Sequence, residues 1–204
     1  MIMKNKVLSE ETVDPDPIIQ FNKWYNEHLE AGYAIPDSVS LGTVSAAGRV
    51  SVRTVLLKGF DKNGFVFFTN YNSKKGVHIS ENPSAALLFY WSESGRQVRI
   101  EGLTEKVTEK ESASYFKTRP RDSQISAWAS DQSSIVPDRN FLEKRHEIYA
   151  ARFKNKPVQK PPYWGGFRLI PDFMEFWSDG EFRLHDRIVY TRKNNFWVIN
   201  RLAP

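Results

Sequence analysis

Two hydrophobic periods alternate along the chain. Asp16 and Pro17 read as a helix N-cap followed by a first-turn proline, and Ile18, Phe21, Tyr25 and Leu29 then recur at helical spacing. Gly32 closes that helix. From Ser38 the pattern becomes that of strands: Ser38–Ser45 and Val50–Phe60 flank a turn at Gly48, and a hairpin turn at Asp61–Gly64 leads into Phe65–Asn70. Ala85–Trp91 and Arg96–Val107 make a second hairpin around Gly95. The apolar run Ala85–Trp91 predicts a central strand buried on both faces. Thr108 and Glu111 form a capping box that opens a helix ending before Pro120. A further helix spans Asp138–Lys154, and a basic, Pro-rich stretch (154–162) connects it to strands at Gly166–Trp177, Asp186–Lys193 and Phe196–Leu202. Short strands with helices inserted between them predict a mainly β fold with α additions, an antiparallel barrel flanked by helices. The domain is expected over residues 16–204, behind a flexible segment at 1–15.

Composition narrows the function. Hydrophobic residues make up 40% and aromatics 14% of the chain, enough for a core and too many for a disordered chain. No apolar run approaches the roughly 20 residues of a spanning helix, and the first residues lack the apolar centre of a signal peptide. A cytoplasmic protein without membrane contact is expected. With no cysteine, disulfides, thiolate metal sites and Cys nucleophiles are excluded. His28, His78, His146 and His185 show no metal-ligand spacing, so no metal is expected. A net charge of +5 suits either a nucleic acid or phosphorylated small molecules. Neither a G-x-G-x-x-G nor a P-loop is present.

Four groups of residues carry chemistry. Arg53 and Lys58 bracket a strand; taken alone it is an ordinary strand, and alternation puts the two cations on opposite faces. Ser73–Gly76, with Lys74 and Lys75, opens a helix and reads equally as a phosphate cradle or a solvated basic turn. Tyr115 and Arg119 share a helix face, and Ser123 follows just past the proline stop; together they can hold a phosphate, or merely decorate a helix C-terminus. Finally Trp177 precedes RLHDR, where an extended chain would point Arg183, His185 and Arg187 to one side. Such a cluster needs an anion or solvent, and an edge strand protected by charge is the competing reading. Gln97 and the pair Gln132 and Ser133 can read the polar edge of a flat heterocycle.

Taken together, these stretches resemble the pyridoxamine 5′-phosphate oxidase family over nearly the whole chain, from Asp16 to Pro204. The resemblance runs through Arg53–Lys58, FVFFTNYNSKKG, RQVRIEG, Tyr115–Ser133, Trp164–Gly166, RLHDR and RLAP. It implies an FMN-binding split barrel, a homodimer with FMN at the subunit interface, and oxidation of pyridoxamine or pyridoxine 5′-phosphate to pyridoxal 5′-phosphate with O2 as acceptor. It implies a flavin site made by Arg53, Thr54, Val55, Leu56, Leu57, Lys58, Phe68, Thr69, Lys74, Lys75, Gln97, Gln132, Ser133, Trp177 and Arg187. It also implies a substrate phosphate clamp of Lys58, Tyr115, Arg119 and Ser123, with Arg183 and His185 as the catalytic pair on the substrate ring. Arg53 and Lys58 would then serve two different phosphates. Phe68 stands where many members carry Tyr, Lys74 where Arg is frequent, and the Arg-x-x-Tyr element often found before the first helix does not occur in residues 1–15. The rivals are another flavin oxidoreductase on the same barrel, a flavin-binding relative without turnover, and a nucleic-acid-binding barrel.

Overall fold

The computed structural model describes residues 7–32 and 37–204. Its strands are β1 (Ser38–Val44), β2 (Val50–Leu56), β3 (Gly59–Asp61), β4 (Gly64–Asn70), β5 (Ser84–Trp91), β6 (Arg96–Lys106), β7 (Trp164–Ser178), β8 (Asp186–Lys193) and β9 (Phe196–Arg201). They form one curled antiparallel sheet in the order β2-β1-β5-β6-β7-β4-β3, with β8 added to β7 and β9 to β8. The helices are α1 (Pro17–Glu30), α2 (Lys74–Glu81), α3 (Glu109–Thr118), α4 (Arg121–Ala129) and α5 (Arg139–Arg152). The mainly β split barrel with helical additions is the expected architecture. No helix among the described residues is long and apolar enough to cross a membrane.

The barrel divides at β7. The first half of this strand pairs with β4, Gly166 opposite Phe68, and the second half with β8, Trp177 opposite Arg187; β6 runs along both halves. The register of β6 shifts between Glu101 and Gly102, where Gly102 faces Pro171. Proline offers no N–H to the ladder, and a bulge adds bend and twist, so the two halves can turn toward different partners. Gly102 is required there: a Cβ would stand 2.0 Å from the Ile170 carbonyl oxygen.

Local signals set the helices as expected. Asp16 caps α1 by accepting from Ile18 N, and the Thr108–Glu111 capping box opens α3. The buried face of α1 closes the barrel: the Phe21 ring meets Phe60, Phe65 and Phe89 edge-on at 4.9–5.0 Å between centroids.

Three expectations are corrected and one element is added. Val50–Phe60 is two strands, broken at Leu57–Lys58. A helix that the sequence pattern did not predict, α4, follows directly after Pro120. β5 is not buried on both faces: Ala85, Leu87, Phe89 and Trp91 point into the core, while Tyr90 on the other face is 63% exposed. Packing also begins before residue 16. Leu8 and Val13 are buried, Leu8 N donates to Asp186 Oδ2 (3.1 Å), Arg201 Nη2 donates to the Leu8 carbonyl (2.8 Å), and the Tyr190 hydroxyl donates to the Asp14 carbonyl (2.7 Å).

Candidate functional site

A cavity of about 680 Å3 opens between β2, β4, α3 and α4, within the size range of small-molecule sites. It gathers Lys58, Tyr115, Arg119 and Ser123, the four residues expected to clamp a phosphate. Thr54, Val55, Leu56, Phe68, Thr69, Lys75 and Gln132 line the same space. Phe68, Tyr115 and Trp164 form an aromatic wall: Phe68 lies 4.1 Å from Tyr115 and 5.5 Å from Trp164, with ring planes within 22°.

Arg119 sits against that wall, its guanidinium 4.8 Å over the Trp164 ring. It is the C-cap of α3, and Gln124 Nε2 fixes the corner by donating to the Phe116 and Arg119 carbonyls, each at 3.0 Å. Its Nη1 is buried without a hydrogen-bond partner, and burial pushes the guanidinium pKa down. An enclosed N–H without an acceptor is costly unless a ligand completes it. Ser123 lies in the first turn of α4, whose N-terminus has no side-chain cap and borders the cavity at Pro120 and Ser123. Lys58 Nζ donates to Asp37 Oδ2 at 2.7 Å, which leaves two of its three ammonium hydrogens for a ligand.

A second cationic cluster adjoins the cavity. Lys75 Nζ donates to Gln132 Oε1 (2.9 Å), Thr69 Oγ1 (3.2 Å) and Ser73 Oγ (3.3 Å). Its pKa is lowered to about 8, by burial first and by the Arg53 cation second. Arg53 points inward from β2, donating to Thr43 Oγ1 (2.6 Å) and the Leu41 carbonyl (3.1 Å), while Thr43 Oγ1 shares a hydrogen bond with the buried His78. Among the described residues no carboxylate pairs with Arg53, Lys75 or Arg119. The start of α2 is less open than its sequence suggests. Ser73 caps Gly76 N, and Ser133 Oγ, on a residue at φ 76°, accepts from Lys74 N at 3.1 Å. Leu57 is buried in the core rather than at the cavity surface.

The remaining expected residues form a separate group. Gln97, Trp177 and Arg187 stand side by side on β6, β7 and β8, in one row across the sheet. None of them lines the cavity, nor do Arg183 and His185. In the next row, Thr54, Ser40, Leu88, Arg99 and Glu175 are successive cross-strand neighbours from β2 to β7. Four strand spacings of about 4.8 Å separate Thr54 from Glu175, roughly 19 Å along the sheet.

RLHDR is not extended as expected. Glu181–Arg183 is a short 3-10 turn, Phe182 and Arg183 are left-handed at φ 58° and 62°, and β8 starts only at Asp186. The one-sided arrangement of Arg183, His185 and Arg187 therefore fails. Left-handed non-glycine residues cost about 1–3 kcal/mol each and concentrate at functional sites. His185 Nδ1 lies 3.0 Å from Asp179 Oδ1 and accepts from Gly180 N (3.2 Å), and its ring is 4.7 Å from that of Trp177. Sequence reasoning missed Trp164, Gln124 and Glu175 as parts of these sites. Glu175 did carry a signal: a single carboxylate inside the apolar run Phe173–Trp177.

A curled antiparallel sheet divided at β7, with cationic pockets on its flank, defines a split β-barrel of the flavin-binding class. A structure described as a pyridoxamine 5′-phosphate oxidase-related, FMN binding protein from Nostoc punctiforme has this fold (TM-score 0.72, 18% identity, 95% of this chain and 99% of that one). Residues 25–150 match the family described as pyridoxamine 5′-phosphate oxidase, and residues 164–204 match its C-terminal dimerisation region. Proteins named pyridoxine/pyridoxamine 5′-phosphate oxidase are 51% identical over 197 residues in Rubrobacter xylanophilus (97% of this chain, 91% of the relative) and 52% over 195 residues in Burkholderia thailandensis (94% and 91%). PhzG from Burkholderia lata, solved with tetrahydrophenazine-1-carboxylic acid, superposes with a TM-score of 0.91 at 30% identity and 98% coverage of both chains. This chain belongs to the pyridoxamine 5′-phosphate oxidase family, and its relatives' names support an oxidoreductase.

Proposed function

We propose that the chain oxidises pyridoxamine 5′-phosphate and pyridoxine 5′-phosphate to pyridoxal 5′-phosphate, with FMN as cofactor and O2 as final acceptor. Hydrogen peroxide is the co-product, and ammonia leaves when the substrate is the amine. The observation that carries this reading is the buried, unpartnered Arg119 Nη1 in a cavity shared with Lys58, Tyr115 and Ser123. One guanidinium, one ammonium and two hydroxyls supply the charge-assisted donors that a phosphate ester needs.

FMN fits the rest. Arg53, Lys74 and Lys75 would hold its phosphate, and the β2 backbone from Thr54 to Leu57 with Lys58, Phe68, Thr69, Gln132 and Ser133 would frame it. When bound, the flavin supplies a two-electron acceptor that no side chain here can replace. The protein's part is positioning. Arg183 and His185, which lie outside the cavity of their own chain, would orient the substrate ring from a second copy, and the aromatic wall of Phe68, Tyr115 and Trp164 excludes water beside the clamp.

Gln97, Trp177 and Arg187 would complete the flavin site from a second copy. None of the three lines the cavity of its own chain, and a two-fold axis would bring the row of one copy against the cavity of the other. The match of residues 164–204 to a dimerisation region supports this, as do exposed Val50, Val52 and Tyr90 on the sheet.

The test is anaerobic mixing of the yellow holoprotein with pyridoxamine 5′-phosphate while following flavin absorbance. Bleaching is expected. Unchanged colour, or bleaching only by the tetrahydrophenazine carboxylate seen with PhzG, overturns the substrate.

A further inference from the structure

Glu175 has no part in the chemistry above, yet its carboxylate is among the most thoroughly enclosed charges of the sheet, its side chain 2% exposed. Its Oε1 accepts from Arg187 Nε at 2.6 Å. Its Oε2 accepts from Arg99 Nη2 (2.7 Å) and Nε (3.2 Å). The arginines arrive from β8 and β6, the strands on either side of β7. Arg187 is held a second time through Nη1, which donates to the Ala203 carbonyl at 2.9 Å. Among the described residues its Nη2 makes no hydrogen bond.

We propose that Glu175 is a positioning residue: it fixes Arg187 so that the free edge of the guanidinium faces the FMN that the row Gln97–Trp177–Arg187 would bind. The inference rests on the FMN reading given above. The third member divides the carboxylate: Arg99 takes Oε2, so Oε1 is left to Arg187 alone and sets the direction of its guanidinium, and with Glu101 on Arg99 the four charges balance. Arg99 also ion-pairs with Glu101 and lies 4.9 Å over the Phe173 ring, which keeps it in place. An unpaired buried carboxylate would be costly, whereas one held between two forks is satisfied on both oxygens.

The experiment is FMN titration of the apoprotein by flavin fluorescence, in the parent, Glu175→Gln, Arg187→Ala and the double variant. Glu175→Gln keeps the side-chain volume but leaves Arg187 without its charged anchor, so the Kd for FMN is expected to rise about tenfold or more. In the Arg187→Ala background the same change is expected to add nothing, because its effect acts through Arg187. A merely structural carboxylate would give the same loss in both backgrounds, which overturns the proposal. So does a parent-like Kd in Glu175→Gln when Arg187→Ala is weakened. Should Glu175→Gln not fold, Glu175→Asp decides: it keeps the charge but draws it back by one methylene, and a parent-like Kd there overturns the proposal. Arg187→Ala with parent affinity would refute the FMN assignment of the row itself.

Discussion

Replacing Arg119 by Met separates binding from stability in a way few site residues allow. The guanidinium is half-buried, its Nη1 is enclosed without a hydrogen-bond partner, and burial depresses its pKa. The cost of enclosing it is therefore present in the ligand-free fold, and a phosphate is what offsets it. Met keeps much of the contact with the Trp164 ring, 4.8 Å away in the parent, and removes the buried charge. Substituting a buried charge by an apolar side chain of similar volume is neutral or stabilising, so the ligand-free Tm is expected to stay level or rise. Catalysis is expected to move the other way. One or two charge-assisted bonds, at about 1.5–3 kcal/mol each, amount to roughly 10- to 1000-fold or more in kcat/KM for pyridoxamine 5′-phosphate. Unphosphorylated pyridoxamine should lose almost nothing. The assays are steady-state peroxide production with both substrates and a melting curve without ligand. Equal losses for the two substrates would refute the phosphate assignment, and a large fall in Tm would show that Arg119 is a structural cation after all.

Three further outcomes follow from the geometry. Arg183→Ala should cripple turnover while the protein stays yellow, whereas Arg187→Ala should weaken FMN retention and recover partly with excess FMN; flavin stoichiometry and rate, with and without added FMN, check both. The Lys75 pKa is lowered from 10.5 to about 8, so the fold disfavours the charged lysine below that value. FMN affinity should weaken as pH rises through about 8 and the ammonium deprotonates, while the ligand-free fold gains stability between about 8 and 10.5; titrations of the parent and Lys75→Met across this window test it, and a pH-independent parent Kd refutes it. Dissociation of the dimer should release FMN, and sedimentation showing a monomer with full flavin occupancy would overturn the shared site.

Much of the fold was legible because its signals are local. Asp16 and Thr108 cap helices within a few residues of themselves, and Gly64 and Gly95 mark hairpins by their positive φ. α4 was not legible: of its nine residues only Ile125 and Ala129 are buried, too few for a stripe, and it begins directly after a proline stop. The division of β7 among three partners depends on pairings far apart in sequence, which no local period encodes. The site shows the same contrast. The members of the phosphate clamp could be named from their residue types and the family resemblance, but the row of Gln97, Trp177 and Arg187 exists only through the registers of three strands. The turn at Phe182 and Arg183 has left-handed backbone at residues that rarely adopt it, so alternation gave the wrong geometry for RLHDR.

The clasp between Leu8 and the β8–β9 hairpin bears on the order in which the molecule is made. Arg201 reaches the Leu8 carbonyl across 193 residues, and Leu8 reaches Asp186 across 178. Asp14 can meet Gln20 and Lys23 of α1 at once, but the contacts of Leu8 with β8 and β9 form only after nearly every other element has been synthesised. β4 waits likewise, since its neighbour on one side is β7, about a hundred residues later. Contacts of such long range slow folding and leave strand edges open meanwhile. On the ribosome, Leu8 would emerge well before the β8–β9 hairpin that holds it, a period in which a chaperone has a ready target.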